Sequence, residues 1–292
     1  MPHSSSIFVL GSLHYDIIVH GPGRPRKGET VTGRAWAPKC GGKGGNQAVS
    51  ASRAGAPVKF IGAIGDDDFG AALAANLVAN QIDTSALRIV PDENSGMSVA
   101  IFDDEGDYGA VIVSGSNLRI DLDASASVDF ARDSWLVLQS EIPEHINLAG
   151  ASKMRVAGGK VILNAAPARP VSQALLDQVD ILVVNAIEAE MLAGVPVVES
   201  LDGALNAAKK LVERCRSVVV TAGGDGCAYA DNDGHQIKMT AKDIVVASTH
   251  GAGDEFIGAL AAALWQGSAI DVALARATDA AATLVSTPEH LR

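Results

Sequence analysis

Short runs of β-branched and other apolar residues alternate along the chain with longer, alanine-rich segments of helical character. Six apolar runs are predicted strands: residues 7–12, 58–65, 135–139, 160–164, 181–185 and 217–221. Four of the segments between or after them are predicted helices: residues 46–55, 69–80, 203–215 and 254–266. Near-continuous apolar strands are typical of a parallel sheet buried on both faces. The alternation therefore predicts an α/β fold, with a doubly wound, mostly parallel sheet and helices on both of its faces.

Two regions interrupt this alternation. Residues 14–38 and 97–113 have the pattern of strands joined by turns, with no helix between them. The second contains Asp104-Glu105-Gly106-Asp107, which is typical of a hairpin turn. We predict that both regions form a small β-sheet lid over the carboxyl ends of the parallel strands, where open α/β sheets bind ligands. No linker or repeat divides the 292 residues, so residues 1–292 are predicted to form a single domain.

Charge and cysteine content narrow the range of partners. The formal net charge is -11 and no cluster of Lys or Arg offsets it, which argues against nucleic acid or an anionic membrane as a partner. Three widely spaced cysteines without a C-x-x-C pair favour a reducing, cytoplasmic location. The first residues lack a basic signal region, and the apolar stretch 256–265 is too short to cross a bilayer. Any anionic ligand is therefore expected to be held by local groups.

Three glycine-rich segments lie at predicted strand ends: residues 40–56, 221–226 and 250–256. Glycine allows a backbone to approach a ligand closely, and the first amides of a following helix can bind an anion. A Walker A loop is excluded because Lys43 is followed by Gly44 rather than by Ser or Thr. A dinucleotide fingerprint is excluded because Gln47 and Phe256 stand where its last glycine is required. Each segment alone is also compatible with a plain turn.

The order of these segments supplies the stronger signal. The stretch GGKGGNQAVSASRAGA, followed by VKFIGAIGDDDFG, resembles the N-terminal signature of the PfkB carbohydrate kinases, and in its lettering the ribokinase branch. THGAGDEFIGAL resembles the C-terminal signature of that family, NAIEAE its N-x-x-E motif, and TAGGDG its T-x-G-x-x-G nucleotide loop. The resemblance implies a ribokinase-like fold and transfer of the γ-phosphoryl of ATP to a hydroxymethyl oxygen of ribose or a similar small sugar. It also implies Mg²⁺ as cofactor and a homodimer formed through the lid.

The resemblance assigns roles at matching positions. Asp254 would be the catalytic base, and the amides of Gly251, Ala252 and Gly253 would form an anion hole for the transferring phosphoryl group. The alternative is that Asp254 only caps the following helix. The predicted sugar contacts are His14, Asp16, Gly42, Lys43, Asn46 and Glu141. The predicted nucleotide contacts are Asn164, Asn185, Thr221, Gly223 and Gly226.

Acidic residues suggest two places for a metal ion. By the resemblance, Glu188 would hold Mg²⁺, through water, since hard cations prefer oxygen ligands and keep several waters. From the residues alone, the better interpretation of Glu188 is a solvated carboxylate in the first turn of a helix. The acidic run at residues 66–68 is predicted to start a helix rather than to bind a metal, because carboxylates complement a helix N-terminus.

Three positions depart from the ribokinase pattern. His14 stands where ribokinases usually have Asn, so the acceptor is open to another sugar or a nucleoside. Ser248 stands where they have an Asp that helps bind an activating monovalent cation, and the C-terminal R-x-G-A-x-x-S pattern is absent, which argues against activation by K⁺. Glu255 replaces a small residue and adds negative charge beside the anion hole. A non-catalytic sugar- or nucleotide-binding sensor is therefore a third hypothesis.

Overall fold

A computed structural model describes residues 5–105, 108–123, 128–196, 198–288 and 291–292. The strands are β1 (Ile7–Leu10), β2 (His14–His20), β3 (Ala35–Gly41), β4 (Val58–Gly65), β5 (Asp83–Val90), β6 (Met97–Phe102), β7 (Tyr108–Val113), β8 (Trp135–Gln139), β9 (Lys160–Asn164), β10 (Ile181–Asn185), β11 (Ser217–Thr221), β12 (Gly226–Asp231) and β13 (Gln236–Thr240). The α-helices are α1 (Lys43–Arg53), α2 (Asp68–Ala79), α3 (Glu144–Val156), α4 (Gln173–Leu176), α5 (Ala186–Ala193), α6 (Leu201–Val212), α7 (Ala252–Trp265) and α8 (Ile270–Ser286).

Nine strands form one large sheet in the order β13-β12-β11-β10-β9-β8-β1-β4-β5. The seven strands from β11 to β5 run parallel, whereas β12 and β13 continue the sheet antiparallel. The side chains of β1 alternate between two apolar layers, because successive residues of a strand point to opposite faces. Ile7 and Val9 pack with α1, α2, α7 and α8 on one face, and Phe8 and Leu10 pack with α3, α4 and α6 on the other. The predicted doubly wound fold is confirmed.

A second sheet has the order β3-β2-β6-β7, and its strands lie at the two predicted interruptions of the helical alternation. β2 and β6 are parallel, and β3 and β7 flank them antiparallel. This small sheet is called the lid below. The predicted turn at residues 104–107 falls partly outside the described residues, which stop at 105 and resume at 108. That the chain is a single domain stays a prediction.

Sequence patterning missed several elements. The missed strands are β5, β12 and β13, and the missed helices include α3, α5 and α8. All three strands belong to the nine-stranded sheet. β13 and β5 are edge strands with many exposed positions, so they lack the continuous apolar run that marks the central strands. Within the described ranges, no helix is long and apolar enough to span a bilayer.

Candidate functional site

A buried carboxylate lies at the start of α7. Helix α7 begins at Ala252, with Gly251 as its N-cap in the left-handed conformation (φ 81°) that favours glycine. Asp254 is in the first turn of this helix and is 9% exposed. Its side chain accepts hydrogen bonds from Asn46 Nδ2 and Gln47 Nε2, both at 2.9 Å. The carboxylate is therefore held by α1 and not by its own helix, and the interpretation that Asp254 only caps the helix is wrong.

The carboxylate is supported by a second layer of buried amides. Gln139, at the end of β8, donates from Nε2 to Gln47 Oε1 over 2.8 Å, and both side chains have 0% exposure. Gln47 Nε2 also approaches Asn164 Oδ1 at 3.1 Å. Because buried polar groups need partners, this chain fixes the rotamers of the amides that orient Asp254. The donors are supplied by α1 and β8, so the carboxylate position depends on the packing of the central sheet.

Backbone amides beside Asp254 point to an anion site. The first intrahelical bond of α7 runs from Glu255 N to Gly251 O, so the preceding amides have no acceptor inside the helix. Among the described residues, the amides of Gly251 and Gly253 donate to no oxygen, whereas Ala252 N makes a long contact of 3.3 Å with Thr249 O. A Cβ added at Gly253 would meet nothing within 4 Å, so this backbone faces open space. Two of the three predicted amides are thus available to a ligand, and the third is weakly engaged.

The lid and the start of α1 enclose a cavity of 270 Å³ in front of Asp254. All six predicted sugar contacts line this cavity, together with residues that sequence analysis did not select, among them Ser98, Phe102 and His250. Asp16, from β2, accepts a hydrogen bond from Ser98 Oγ at 2.5 Å. Burial raises the pKa of the Asp16 carboxyl above its usual range. The cavity is therefore lined by hydrogen-bonding groups that are held in place by their neighbours.

Glu141 and His14 form the inner wall of this cavity. Glu141 Oε2 accepts from Ser12 Oγ at 2.5 Å and from the Lys43 backbone amide at 2.9 Å. His14 Nδ1 lies 3.9 Å from the same oxygen. The ring of His14 is 4% exposed, and its Nε2 has no hydrogen-bond partner in the described part of the chain. An unpartnered buried nitrogen in a polar cavity is a group that a bound hydroxyl could satisfy.

The start of helix α1 positions several of the groups that line this cavity. Gly42 is the N-cap of α1 with φ 85°, and a Cβ there would approach His14 N to 2.7 Å. A side chain at position 42 would therefore separate α1 from β2 and open the cavity wall. Asn46, one turn into α1, lines the cavity and at the same time donates to Asp254.

A second cavity of 630 Å³ also reaches Asp254, and Lys43 lines both cavities. Asn185 and Glu188 form a reciprocal capping box at the start of α5: Asn185 Oδ1 accepts from Glu188 N at 2.9 Å, and Glu188 Oε2 accepts from Asn185 N at 2.8 Å. Glu188 is 4% exposed, so it is not the solvated carboxylate that the residues alone suggested. Its second oxygen accepts no hydrogen bond from the described residues and remains open to a ligand.

Burial and the nearby positive charge have opposite effects on the pKa values of Asp254 and Glu188. Burial raises the pKa of the Asp254 carboxyl, and the nearby positive charge of Lys43 opposes that rise. Burial also raises the pKa of Glu188, again opposed by its hydrogen bond from Asn185 and by the Lys43 charge. The Lys43 charge therefore favours the ionised form of both carboxyls, against the effect of burial.

A third cavity of 230 Å³ adjoins the second and is mostly apolar. Thr221, Gly223 and Gly226, which the resemblance assigned to a nucleotide, lie along its edge. Its apolar walls were missed: Ala241, Ile244, Val246, Phe256, Ala281, Ala282 and Val285. The segment joining β13 to α7 and one side of α8 supply most of these residues. Asn164 lies instead in the larger cavity, where its side chain also donates to Val183 O at 3.3 Å.

The acidic run that precedes α2 has a structural role. Asp67 is the N-cap of α2, where its Oδ1 accepts from Gly70 N at 2.7 Å. The same side chain accepts from Ser95 N at 2.8 Å. The predicted helix start is confirmed, and Asp67 also ties the start of α2 to the loop before β6.

Glu255 follows Asp254 in the first turn of α7. It lines a cavity of 250 Å³ together with Arg53 and Arg292, and Gly251 lines the same cavity. Burial raises the pKa of its carboxyl, and the positive charge of Arg53 opposes the rise. Its carboxyl is therefore not simply a solvent-facing group.

Among the residues that sequence analysis missed, Gln47 and Gln139 carried a usable signal. Gln139 is the polar end of an otherwise apolar buried strand, and Gln47 directly follows the predicted Asn46. Polar residues at such positions need buried partners. Ser98, Phe102 and His250 carried no comparable signal, because their place in the cavity depends on how the lid and the segment before α7 pack against the sheet.

Comparison with known proteins agrees with this architecture. The model of the pfkB family carbohydrate kinases matches residues 4–290. The chain is 34% identical over 285 residues to a ribokinase of Bacillus subtilis, covering 96% of this chain and 92% of that protein. It is 31% identical over 276 residues to a deoxyribokinase of Salmonella typhimurium, with coverage of 93% and 89%. The structure of Arabidopsis thaliana ribokinase complexed with ribose and ATP superposes with a TM-score of 0.87 at 29% identity, covering 98% and 94% of the two chains. The chain belongs to the pfkB family of carbohydrate kinases.

Proposed function

We propose that the protein transfers the γ-phosphoryl of ATP to the hydroxymethyl oxygen of ribose or a similar small pentose. One observation supports this most directly: the buried Asp254 carboxylate is shared by the polar cavity under the lid and the larger cavity at the start of α7. An acceptor hydroxyl on one side and a phosphoryl group on the other would meet at this carboxylate. The resemblance to the ribose- and ATP-bound plant ribokinase favours the same arrangement.

The lid-side cavity suits a small polyol. Its walls offer carboxylate acceptors at Asp16 and Glu141, an amide at Asn46 and an imidazole nitrogen at His14. Vicinal hydroxyls donate and accept hydrogen bonds together, so each can satisfy a donor and an acceptor of the wall. A sugar analogue that lacks one hydroxyl would leave a buried group unpaired, at a cost of about 1–3 kcal/mol.

The nucleotide is assigned to the other two cavities. The apolar cavity near Val246 and Ala281 would take the base, and the glycines at residues 223–226 would lie against the phosphates. Mg²⁺ fits the larger cavity because Glu188 offers one open carboxylate oxygen there, suited to a hydrated hard cation. When bound, Mg²⁺ would neutralise charge on the phosphate oxygens.

Each group of residues has its own role in the proposed phosphoryl transfer. Asp254 accepts the proton of the attacking hydroxyl while Asn46 and Gln47 fix its orientation. The amides of Gly251 and Gly253 stabilise charge on the transferring phosphoryl group, with Ala252 joining them if its long bond to Thr249 is released. Oriented dipoles suit phosphoryl transfer, because positioning and charge stabilisation supply most of its catalysis.

Replacing the proposed base tests the function. We expect Asp254→Asn to fold normally and to lose several orders of magnitude in kcat, measured as ADP release with ribose and MgATP. Asp271→Asn is the matched control, because Asp271 is an exposed carboxylate in the first turn of α8. Substantial ADP release by Asp254→Asn would refute the role of Asp254.

The same assay separates the rival functions. Ribose, 2-deoxyribose, other pentoses and nucleosides are supplied in turn, since both a ribokinase and a deoxyribokinase are relatives and His14 departs from the ribokinase pattern. Turnover only with a nucleoside would replace the pentose. Sugar binding measured by calorimetry without ADP release from any acceptor would instead identify a binding sensor.

We also propose that two copies associate through the outer face of the lid. Positions that alternate with the cavity-lining residues are apolar, and Trp36, Val111 and Val113 are 67%, 69% and 50% exposed. A continuous apolar sheet face of this kind is typical of an interface. The three cysteines are free thiols, which agrees with the proposed cytoplasmic location.

A further inference from the structure

The loop that leads into the anion site is held by one arginine. Residues 241–251 connect β13 to α7 without regular secondary structure. Arg292 donates from Nη2 to Ser248 O at 2.9 Å and from Nη1 to His250 O at 2.8 Å. Its Nε donates to Thr287 O at 2.9 Å, just beyond the end of α8. A single guanidinium therefore links three carbonyl oxygens from two separate segments.

The Arg292 guanidinium is thus a cation surrounded by three backbone carbonyl oxygens. Carbonyl oxygens carry partial negative charge, and a guanidinium is a permanently charged donor with a rigid fork. Arg292 forms no ion pair with a carboxylate within the described residues, so its charge is directed at the backbone. Hydrogen bonds from charged donors are stronger than neutral ones.

The position of the arginine bears on catalysis. Ser248 and His250 lie three and one residues before Gly251, whose backbone amide is open to a ligand. The loop is also tied to α8 by bonds from the amides of Ala247 and Ser248 to Val285 O, at 2.8 and 3.2 Å. Fixing the carbonyls on either side of Thr249 restricts the peptide planes that lead into the helix. The direction of the following amides is thereby restricted as well.

The same oxygens do not suit a bound K⁺. The family pattern has an Asp at position 248 that helps to bind a monovalent cation, and this chain has Ser248. A potassium ion on the carbonyls of residues 248 and 250 would have to displace the Arg292 side chain. The residues present therefore do not fit K⁺ at this loop.

We propose that the Arg292 guanidinium takes the place of a monovalent cation, as a positioning residue that aligns the amides of residues 251–253 and makes phosphoryl transfer independent of K⁺. The inference rests on the proposed kinase function for its catalytic consequence. Its structural consequence, a loop held by the Arg292 side chain, does not depend on any activity.

Two variants and a control test the proposal. Arg292→Ala removes the donors, Arg292→Lys keeps the charge with fewer donors, and Arg276→Ala removes an exposed arginine that bonds only Gln266 Oε1 among described residues. Turnover is measured in buffer free of alkali cations, with KCl or tetramethylammonium chloride added at equal ionic strength. Amide hydrogen exchange of residues 241–254 is measured on the same proteins without substrates.

The wild type is expected to give equal kcat in the two salts. For Arg292→Ala we expect kcat to fall by about ten- to a hundredfold, less than the roughly 10²–10³ for deleting an oxyanion donor, because the amides remain but are less well aligned. KM for the sugar should stay unchanged. Guanidinium chloride or KCl should restore part of the loss in Arg292→Ala, and Arg292→Lys should be intermediate.

Hydrogen exchange separates this inference from the proposed function. Residues 241–254 should exchange faster in Arg292→Ala than in the wild type or Arg276→Ala, whichever acceptor is phosphorylated. Unchanged exchange in this segment would overturn the inference even if the protein is a kinase. Activation of the wild type by K⁺ over tetramethylammonium, or an unchanged kcat in Arg292→Ala, would also overturn it. Absence of kinase activity in every protein, with faster exchange in Arg292→Ala, would refute only the proposed function.

Discussion

The buried amide of Gln47 gives a quantitative test of how the carboxylate is supported. Gln47→Leu keeps a similar side-chain volume but removes three contacts: donation to Asp254 Oδ1, donation to Asn164 Oδ1 and acceptance from Gln139 Nε2. All four side chains are at most 9% exposed, so water cannot readily replace the lost partner. The substitution therefore leaves a carboxylate oxygen, an amide oxygen and an amide donor without their present bonds.

The expected magnitude follows from these groups. Each buried polar group left unpaired costs about 1–3 kcal/mol, and a partner that is charged lies at the upper end. Asn164 Nδ2 keeps its bond to Val183 O, whereas Asn164 Oδ1 loses its donor. Because some relaxation is expected, we expect Gln47→Leu to lower the free energy of unfolding by about 2–5 kcal/mol. A change of that size is a large part of the roughly 5–15 kcal/mol typical of a folded protein.

The penalty should depend on pH. Burial raises the pKa of Asp254 in the folded state, so its contribution to stability is present at low pH and is lost as pH rises through that folded-state pKa. Gln47→Leu removes a hydrogen bond to the ionised form and therefore raises the folded-state pKa further. The free energy of unfolding of the variant should fall below that of the wild type by more at about pH 8 than at about pH 5.

Urea unfolding at the two pH values measures both quantities, with the free energy extrapolated to zero denaturant. Gln266→Leu is the control, since Gln266 is exposed and should change stability by no more than about 0.5 kcal/mol. A penalty for Gln47→Leu below about 1 kcal/mol would contradict the network argument. A penalty that is equal at both pH values would contradict the link to the Asp254 charge.

Two other substitutions test charge at the site and the lid interface. Lys43→Met removes the positive charge that opposes the effect of burial on the pKa of Asp254. The acid limb of the pH profile of kcat/KM should therefore move to higher pH. An unchanged acid limb would show that Asp254 does not govern it. Val111→Asp places a charge on the outer lid face, so light scattering should show a monomer where the wild type is a dimer. Val156→Asp, at an exposed position of α3, should leave the mass of the wild type unchanged, and a monomeric wild type would refute the proposed interface.

The fold was largely predictable because its central strands are buried on both faces. The residues of β1, β4, β8, β9, β10 and β11 form apolar runs long enough to read directly from the sequence. Edge strands such as β13 have alternate exposed positions and no such run. Helix α8 was not predicted, although it follows the predicted helix 254–266 and packs against α7.

Part of the site was predictable for a related reason. Motifs such as GGKGGN and GAGD combine glycine conformations with a helix start, and both properties are local to a few residues. The resemblance of these motifs, in their order along the chain, to the family's signatures selected Asp254, Lys43 and Asn46 as candidate site residues. The walls of the apolar cavity were not predictable, because Val246 and Ala281 are ordinary apolar residues that meet only when α8 packs beside the loop before α7.

The sequence alone determined the parallel sheet, the glycine turns and the acidic residue at the start of α7, since these depend on local periodicity and backbone conformation. Tertiary structure decided which side chains hold that acid: Gln47 and Gln139 come from separate elements, and their buried bonds exist only after the sheet and α1 have packed. It also decided that Arg292 contacts the carbonyls at residues 248 and 250, more than forty positions earlier in the chain. Contacts between such distant residues leave no periodic pattern in the sequence, because they are selected by packing and not by local propensity.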